Sequence, residues 1–190
     1  MKLIIASNNK HKIREIKKIL GEKFTQILSL SEAGIDHETI EDGETFKDNA
    51  YKKAYEIAKI SGCASLADDS GISAHALNGA PGVYSARFAG EHGDDEANNR
   101  LLLQKLRDKS DKGAHYTCVM ALVFPDGREI FAEGYLYGEI TDNPRGNGGF
   151  GYDPLFIPIG ESRTVAEMSD DEKNKISHRA KALEALLAKL

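Results

Sequence analysis

The chain has 190 residues, 41% of them hydrophobic, and a formal net charge of −5 with no tryptophan. That apolar content suits one domain or two closely packed lobes with a sizeable core, and excludes a disordered chain. The acidic balance argues against a long nucleic-acid footprint, which needs a basic face.

No apolar run approaches a membrane span, and MKLIIAS passes straight into the polar Asn8, so the opening reads as the first strand of a cytoplasmic protein. Lys2 to Ser7 is that strand. From Lys10, apolar Ile13, Ile16 and Leu20 keep helical spacing until Gly21. Phe24 to Leu30 suits a second strand, and after the polar loop Ile35 to Gly43 a helical face runs from Phe46 through Ala50, Ala54, Ile57 and Ala58 to Gly62. Ala64 to Ala67 is a short buried strand that ends at Asp68-Asp69-Ser70-Gly71, and Ile72, Ala74 and Ala76 then alternate as a half-buried strand does. Asp94 to Arg107 is helical. Tyr116 to Phe124 alternates, Pro125 to Arg128 turns the chain, and Glu129 to Tyr137 returns as the second strand of an antiparallel hairpin. A glycine-rich loop leads to a strand at Leu155 to Ile157. Ser169 and Glu172 fit a capping box before a C-terminal helix striped by Ile176, Ala180, Leu183 and Leu187, with an alternative helix start at Ser177. The whole predicts a single α/β domain over 1–190, with mixed strand directions. Cys63 and Cys118 stand in unrelated contexts and read as core filler.

Four segments carry candidate chemistry. Ser7, Asn8, Asn9, Lys10, His11 and Lys12 bring hydroxyl, amide and ammonium donors to a helix N-terminus, which suits an anion such as a phosphate chain; a solvated helix cap is the plain alternative. Asp68 and Asp69 place adjacent carboxylates at the edge of a core, where a hard divalent cation compensates them. Oxygen donors point to Mg2+, with Mn2+ as a substitute, and Glu41, Asp42 and Glu44 are further oxygen sources. A solvated turn is the alternative there. Lys53 lies on the helix between these acidic stretches. Gly146 to Pro154 holds glycines at 146, 148, 149 and 151, which allow close backbone approach, and displays Phe150 and Tyr152 for stacking on a base. His178 and Arg179 offer donors that suit a keto oxygen and oppose the amino group of adenine. In isolation each also suits an ordinary surface or core position.

Taken in order, SNNKHK, EDGETFKDNAYKKA, ADDSGI, GAPGVYSAR, GNGGFGYDPLF and EKNKISHRAKAL resemble the inosine triphosphate pyrophosphatase family, the XTP/dITP diphosphatases, over nearly the whole chain. The resemblance implies an elongated mixed sheet flanked by helices, two lobes with a central substrate cleft, and a homodimer. It implies hydrolysis of ITP, dITP and XTP to the monophosphate and pyrophosphate, cleaning the nucleotide pool, with no nucleic-acid or membrane partner. Position by position, it makes Ser7 to Lys12 the phosphate-gripping loop, Asp69 the metal ligand and base, Ser70 a substrate contact and Lys53 a phosphate-binding lysine. Phe150, Gly151, Tyr152 and Asp153 become the base loop, with Tyr152 where relatives carry tryptophan. Lys173, His178 and Arg179 become substrate contacts. Many relatives have two consecutive glutamates where this chain has Glu41-Asp42, so Glu41 is the best second metal ligand, with Asp68 direct or through water. Related readings are a Maf-like pyrophosphatase, against which the SHR segment speaks, a non-hydrolysing nucleotide sensor, and an aspartyl-phosphate phosphatase, whose Asp-x-Asp loop is replaced here by Ser7-Asn8-Asn9.

Overall fold

A computed structural model describes residues 2–190. Six strands form one sheet in the order β2-β1-β3-β4-β5-β6: β1 is Lys2–Ile5, β2 Gln26–Ser29, β3 Ala64–Ala74, β4 Gly113–Val123, β5 Glu129–Ile140 and β6 Phe156–Pro158. β1 runs parallel to β2 and to β3, while β5 and β6 are antiparallel, so the sheet is mixed as expected. The helices are α1 Lys10–Leu20, α2 Phe46–Ser61, α3 Asp95–Leu106, α4 Asp170–Ile176 and α5 His178–Leu187.

The chain divides into two compact units. The first holds residues up to Asp69, then Cys118–Gly134 and Arg179–Leu190; the second holds Ser70–Thr117 and Tyr135–His178. In the first unit strand alternation sorts the core. Leu3, Ile5, Leu66, Cys118, Met120 and Leu122 pack with Ile16 and Leu20 of α1 and Ala182, Leu183 and Leu186 of α5. Their neighbours in sequence, Ile4, Ala67, Ala121 and Val123, pack on the other face with Ala50, Ala54, Ile57 and Ala58 of α2. Each buried Leu or Ile contributes roughly 1.5–3 kcal/mol. The second unit is built around Ile72, Leu102, Leu106, Tyr116, Leu136 and Phe156, with the Tyr116 and Phe156 rings edge to face at 4.8 Å.

Local signals explain the helix boundaries. The Asn9 side chain caps α1 by accepting from the His11 and Lys12 amides. A Thr45/Asp48 capping box opens α2, and Gly62, at φ 63°, closes it.

Two expectations are corrected. The strand placed at Ala64 to Ala67 does not stop at the acidic pair: β3 continues for 11 residues, buried almost throughout, and takes in Ile72 and Ala74 of the strand placed after it, while Ala76 falls in a 3-10 turn at His75–Leu77. Compensating side chains within the fold let both carboxylates lie inside the strand. The single C-terminal helix is two helices, and the alternative start at Ser177 holds: this residue takes the extended conformation, φ −63° and ψ 151°, between α4 and α5.

Candidate active site

Successive side chains of a strand point to opposite faces, and this separates Asp68 from Asp69. Asp68 falls on the side of Leu66 and Cys118. There its Oδ2 lies 3.1 Å from Lys12 Nζ and accepts from Arg179 through Nε at 3.3 Å and Nη2 at 3.1 Å. Arg179 is 1% exposed and also donates through Nη1 to Glu15 of α1. Burial alone would raise the Asp68 pKa, yet Lys12, Arg179 and Lys53 hold its carboxyl well below the usual range. Burial likewise acts to lower the Lys12 ammonium, and Asp68 outweighs it, so the pKa of Lys12 is raised.

Asp69 falls on the α2 side. Its Oδ2 accepts from Asn49 Nδ2 at 3.0 Å, and Asn49 Oδ1 in turn accepts from the Gly43 amide at 2.8 Å. A Cβ at Gly43 would stand 2.6 Å from Asn49 Oδ1, so this approach requires glycine. Lys53, one turn along α2 from Asn49, lies 3.0 Å from Glu41 and 3.9 Å from Asp69. Asp69 is 7% exposed. Burial, reinforced by the Glu41 charge, raises its pKa despite Lys53 and Lys12. The first unit therefore presents a buried carboxylate of heightened basicity, a second carboxylate, and an ammonium against both.

The N-terminal loop is a folded cap. Ser7 Oγ accepts from the Asn9 amide at 3.1 Å. Asn8, Asn9, Lys10 and His11 are exposed, and Lys12 turns inward to Asp68.

In the second unit Asp153 is the hub. Its Oδ2 accepts from Lys173 Nζ at 2.8 Å and from the Phe150 amide at 3.0 Å, and Oδ1 accepts from the Tyr116 hydroxyl at 3.3 Å. Lys173 Nζ also sits 4.4 Å over the Phe150 ring, a cation–π contact. The His178 ring stacks on Tyr116 at 4.6 Å with 7° between planes. Burial and Asp153 push the Tyr116 hydroxyl well above its ordinary pKa, so it stays a donor. Tyr152 is 4% exposed and its hydroxyl donates to Ser85 O at 2.7 Å, which places that ring in the core beside the loop. A recess is lined by Tyr116, Asp153, Val165, Lys173, Ser177 and His178. Ser70 is half-buried, next to Asp69 in β3.

The sequence model of the Ham1 family matches residues 3–189. The chain belongs to the Ham1 family. A dITP/XTP pyrophosphatase of Clostridium perfringens is 52% identical, with 97% of this chain and 95% of that protein covered. One from Leuconostoc mesenteroides is 50% identical over 100% of this chain and 96% of its own. Among solved structures, the Ham1 protein of Staphylococcus aureus superposes with a TM-score of 0.89 at 40% identity, covering 100% of this chain and 97% of that one. A HAM1 protein from Coxiella burnetii gives 0.90 at 38%, with both chains fully covered. The resemblance drawn from the motifs and the α/β fold expected from it therefore both hold.

Within this Ham1 chain, the residues brought together in the first unit are Lys12 with Asp68 and Arg179, and Asp69 with Lys53 and Glu41. Phe150, Asp153, Lys173 and His178 come together in the second. Sequence reasoning missed Asn49, Glu15 and Tyr116. Asn49 had a legible signal, a polar residue beside Ala50 on the buried face of α2. Tyr116 had none, since an aromatic residue in an alternating strand reads as core.

Proposed function

We propose that the chain is a nucleoside triphosphate pyrophosphohydrolase that converts deaminated purine nucleotides (ITP, dITP and XTP) to the monophosphate and pyrophosphate. The observation that carries this reading is the buried Asp69 carboxylate, aligned by Asn49 and faced by Lys53 and Glu41. The names of the relatives supply the substrate class.

Water attacks the α-phosphorus, its proton passes to Asp69, the α–β bridging bond breaks, and pyrophosphate leaves. Asp69 suits that step by its placement, with Oδ2 held by Asn49 and the Lys53 ammonium 3.9 Å from Oδ1. Lys53 and Lys12 neutralise charge on the phosphates, and the Ser7 to Lys12 loop and Ser70 hold them. Phe150, Gly151, Asp153 and Lys173 take the base, while Tyr152, expected to stack on it, packs in the core and holds the loop from beneath. His178 acts as a donor to its keto oxygen, whereas Arg179, expected beside it from the sequence, is turned inward with its guanidinium committed to Asp68 and Glu15; the amino group of adenine would leave the His178 donor unpaired at a cost of about 1–3 kcal/mol.

Mg2+ fits the donor set of Asp69 and Glu41. No group of three or more His, Cys, Asp or Glu among the described residues could hold a metal, but Mg2+ commonly takes one or two carboxylates and completes its shell with water and substrate phosphates. Asp68, expected from the sequence as a further ligand, faces the opposite side of β3 with its Oδ2 taken by Lys12 and Arg179, and so stands outside this donor set. Once bound, the ion would supply Lewis-acid polarisation of the phosphoryl oxygens.

Residues 1–190 are read as a single domain, and the enzyme as a cytoplasmic homodimer acting on small nucleotides without nucleic-acid or membrane partners. No helix among the described residues is long and apolar enough to cross a membrane.

Product analysis by anion-exchange chromatography with Mg2+ and, separately, ITP, XTP, dTTP, GTP and ATP tests the reading. Monophosphate and pyrophosphate released chiefly from ITP and XTP are expected. Diphosphate and orthophosphate would overturn the α-phosphorus mechanism.

A further inference from the structure

The loop assigned to the base is gripped from helix α3. The Gly151 amide donates to Asp95 Oδ2 at 2.7 Å, and its carbonyl accepts from Asn99 Nδ2 at 3.0 Å. Both polar groups of one loop residue are thus tied to one helix. Asp95 and Asn99 are four apart, hence neighbours on a single helical face. Gly151 sits at φ 62°, where a side chain is strained, although a Cβ there would meet nothing within 4 Å. Glycine at 151 serves the backbone turn, and the α3 clip fixes how that turn is oriented.

The residues flanking Gly151 are those that matter for a base. Phe150 lies under Lys173 and donates its amide to Asp153, while Tyr152 is anchored through Ser85. Helix α3 is itself firmly seated: Asn98 accepts from the Ala89 amide at 2.8 Å and donates to Ala86 O at 3.2 Å, and Leu102 and Leu106 are buried.

We propose that Asp95 and Asn99 are positioning residues for base recognition: they orient Gly151 and so set the Phe150 ring and the Asp153 carboxylate against the base. The inference rests on the assignment of residues 150–153 as the base loop. It makes an asymmetric demand on the two positions. Position 95 must accept, so asparagine can replace aspartate. Position 99 must donate, so aspartate cannot replace asparagine, because its carboxylate would face the Gly151 carbonyl. A role limited to helix stability makes no such distinction.

The experiment compares Asp95→Ala, Asp95→Asn, Asn99→Ala, Asn99→Asp and Phe150→Ala in steady-state assays with ITP and GTP, with Tm measured for each. Asn99→Asp and both alanine variants of the clip should raise KM for ITP about tenfold, leave kcat within about twofold, and narrow the ITP-to-GTP preference. Asp95→Asn should stay within about twofold of the parent. Asn99→Ser, which shortens the donor without adding charge, stands in if Asn99→Asp does not fold. If Phe150→Ala raises KM while Asn99→Asp and the clip alanines do not, the positioning role is overturned and the base loop stands. If Phe150→Ala leaves KM unchanged, the base-loop assignment fails and the positioning role falls with it.

Discussion

The Arg179 guanidinium reaches Asp68 through both Nε and Nη2, at 3.3 and 3.1 Å, and Glu15 through Nη1, so a residue of α5 is bound to β3 and α1 from a fully buried position. Removing one partner of such a pair leaves an uncompensated buried charge, which costs about 3–5 kcal/mol. Asp68→Ala should therefore lower unfolding stability by about that much, with Lys12 losing its partner as well. Urea unfolding measures it. A loss near that of an exposed ion pair, under about 1 kcal/mol, would show that the network is compensated by water.

Asp69→Asn tests the chemistry without dismantling the site. The new amide can offer its oxygen to Asn49 Nδ2 as the carboxylate does at 3.0 Å, so Tm should change little. The base is lost, and with it a factor of about 10²–10⁴ in kcat, while KM for ITP moves far less. An unchanged kcat would remove Asp69 from the mechanism. Chelation of divalent ions by EDTA should abolish turnover and excess Mg2+ restore it.

Much of the fold was legible because its segments are locally consistent. The βαβ opening followed from an apolar strand, a capped helix of regular period and Gly21, and α2 from its alanine-rich stripe. The acidic pair misled because carboxylates ordinarily mark a strand end. Here cations supplied by Lys12, Lys53 and Arg179 let β3 run through both positions, and those partners are distant in sequence. The same distance hid Glu15, which lies 164 residues from Arg179. Asp153 was legible within its loop, but its role as a hub depends on Tyr116 and Lys173, which only the packing of the second unit brings to it.

Acid should destabilise the protein in a defined window. Hydrogen bonds from Lys17 and from the amide and hydroxyl of Ser29 lower the pKa of Glu32 from 4.5 to about 2. A carboxylate depressed in the folded state contributes stability above its unfolded pKa and loses it as pH falls through the folded value. Glu172, lowered to about 2 chiefly by the Ser169 amide, acts in the same direction. Tm should therefore fall as pH drops from about 5 toward 2, and Glu32→Gln should lower Tm at neutral pH while flattening that fall. Equal slopes in the parent and the variant would show that Glu32 titrates alike in both states.

Gly149 and Gly151 separate two reasons for a glycine in the same loop. Gly149 has φ 69°, and a Cβ there would stand 2.1 Å from Asp153 Oδ2, the atom that accepts from Lys173 and the Phe150 amide. Gly151 has φ 62° and open space around its Cβ position. Gly151→Ala therefore carries backbone strain alone, of about 1–2 kcal/mol. Gly149→Ala carries that strain and also displaces the Asp153 carboxylate from a buried ion pair with Lys173. Its stability loss should exceed that of Gly151→Ala by a further 1 kcal/mol or more, of the order expected when a buried hydrogen bond to a charged group is lost. Its KM for ITP should rise with it, since Phe150 and Lys173 both depend on Asp153. Paired urea titrations and ITP kinetics on the two alanine variants check this. Indistinguishable variants would mean that Asp153 shifts without cost and that the loop is softer than its hydrogen bonds imply.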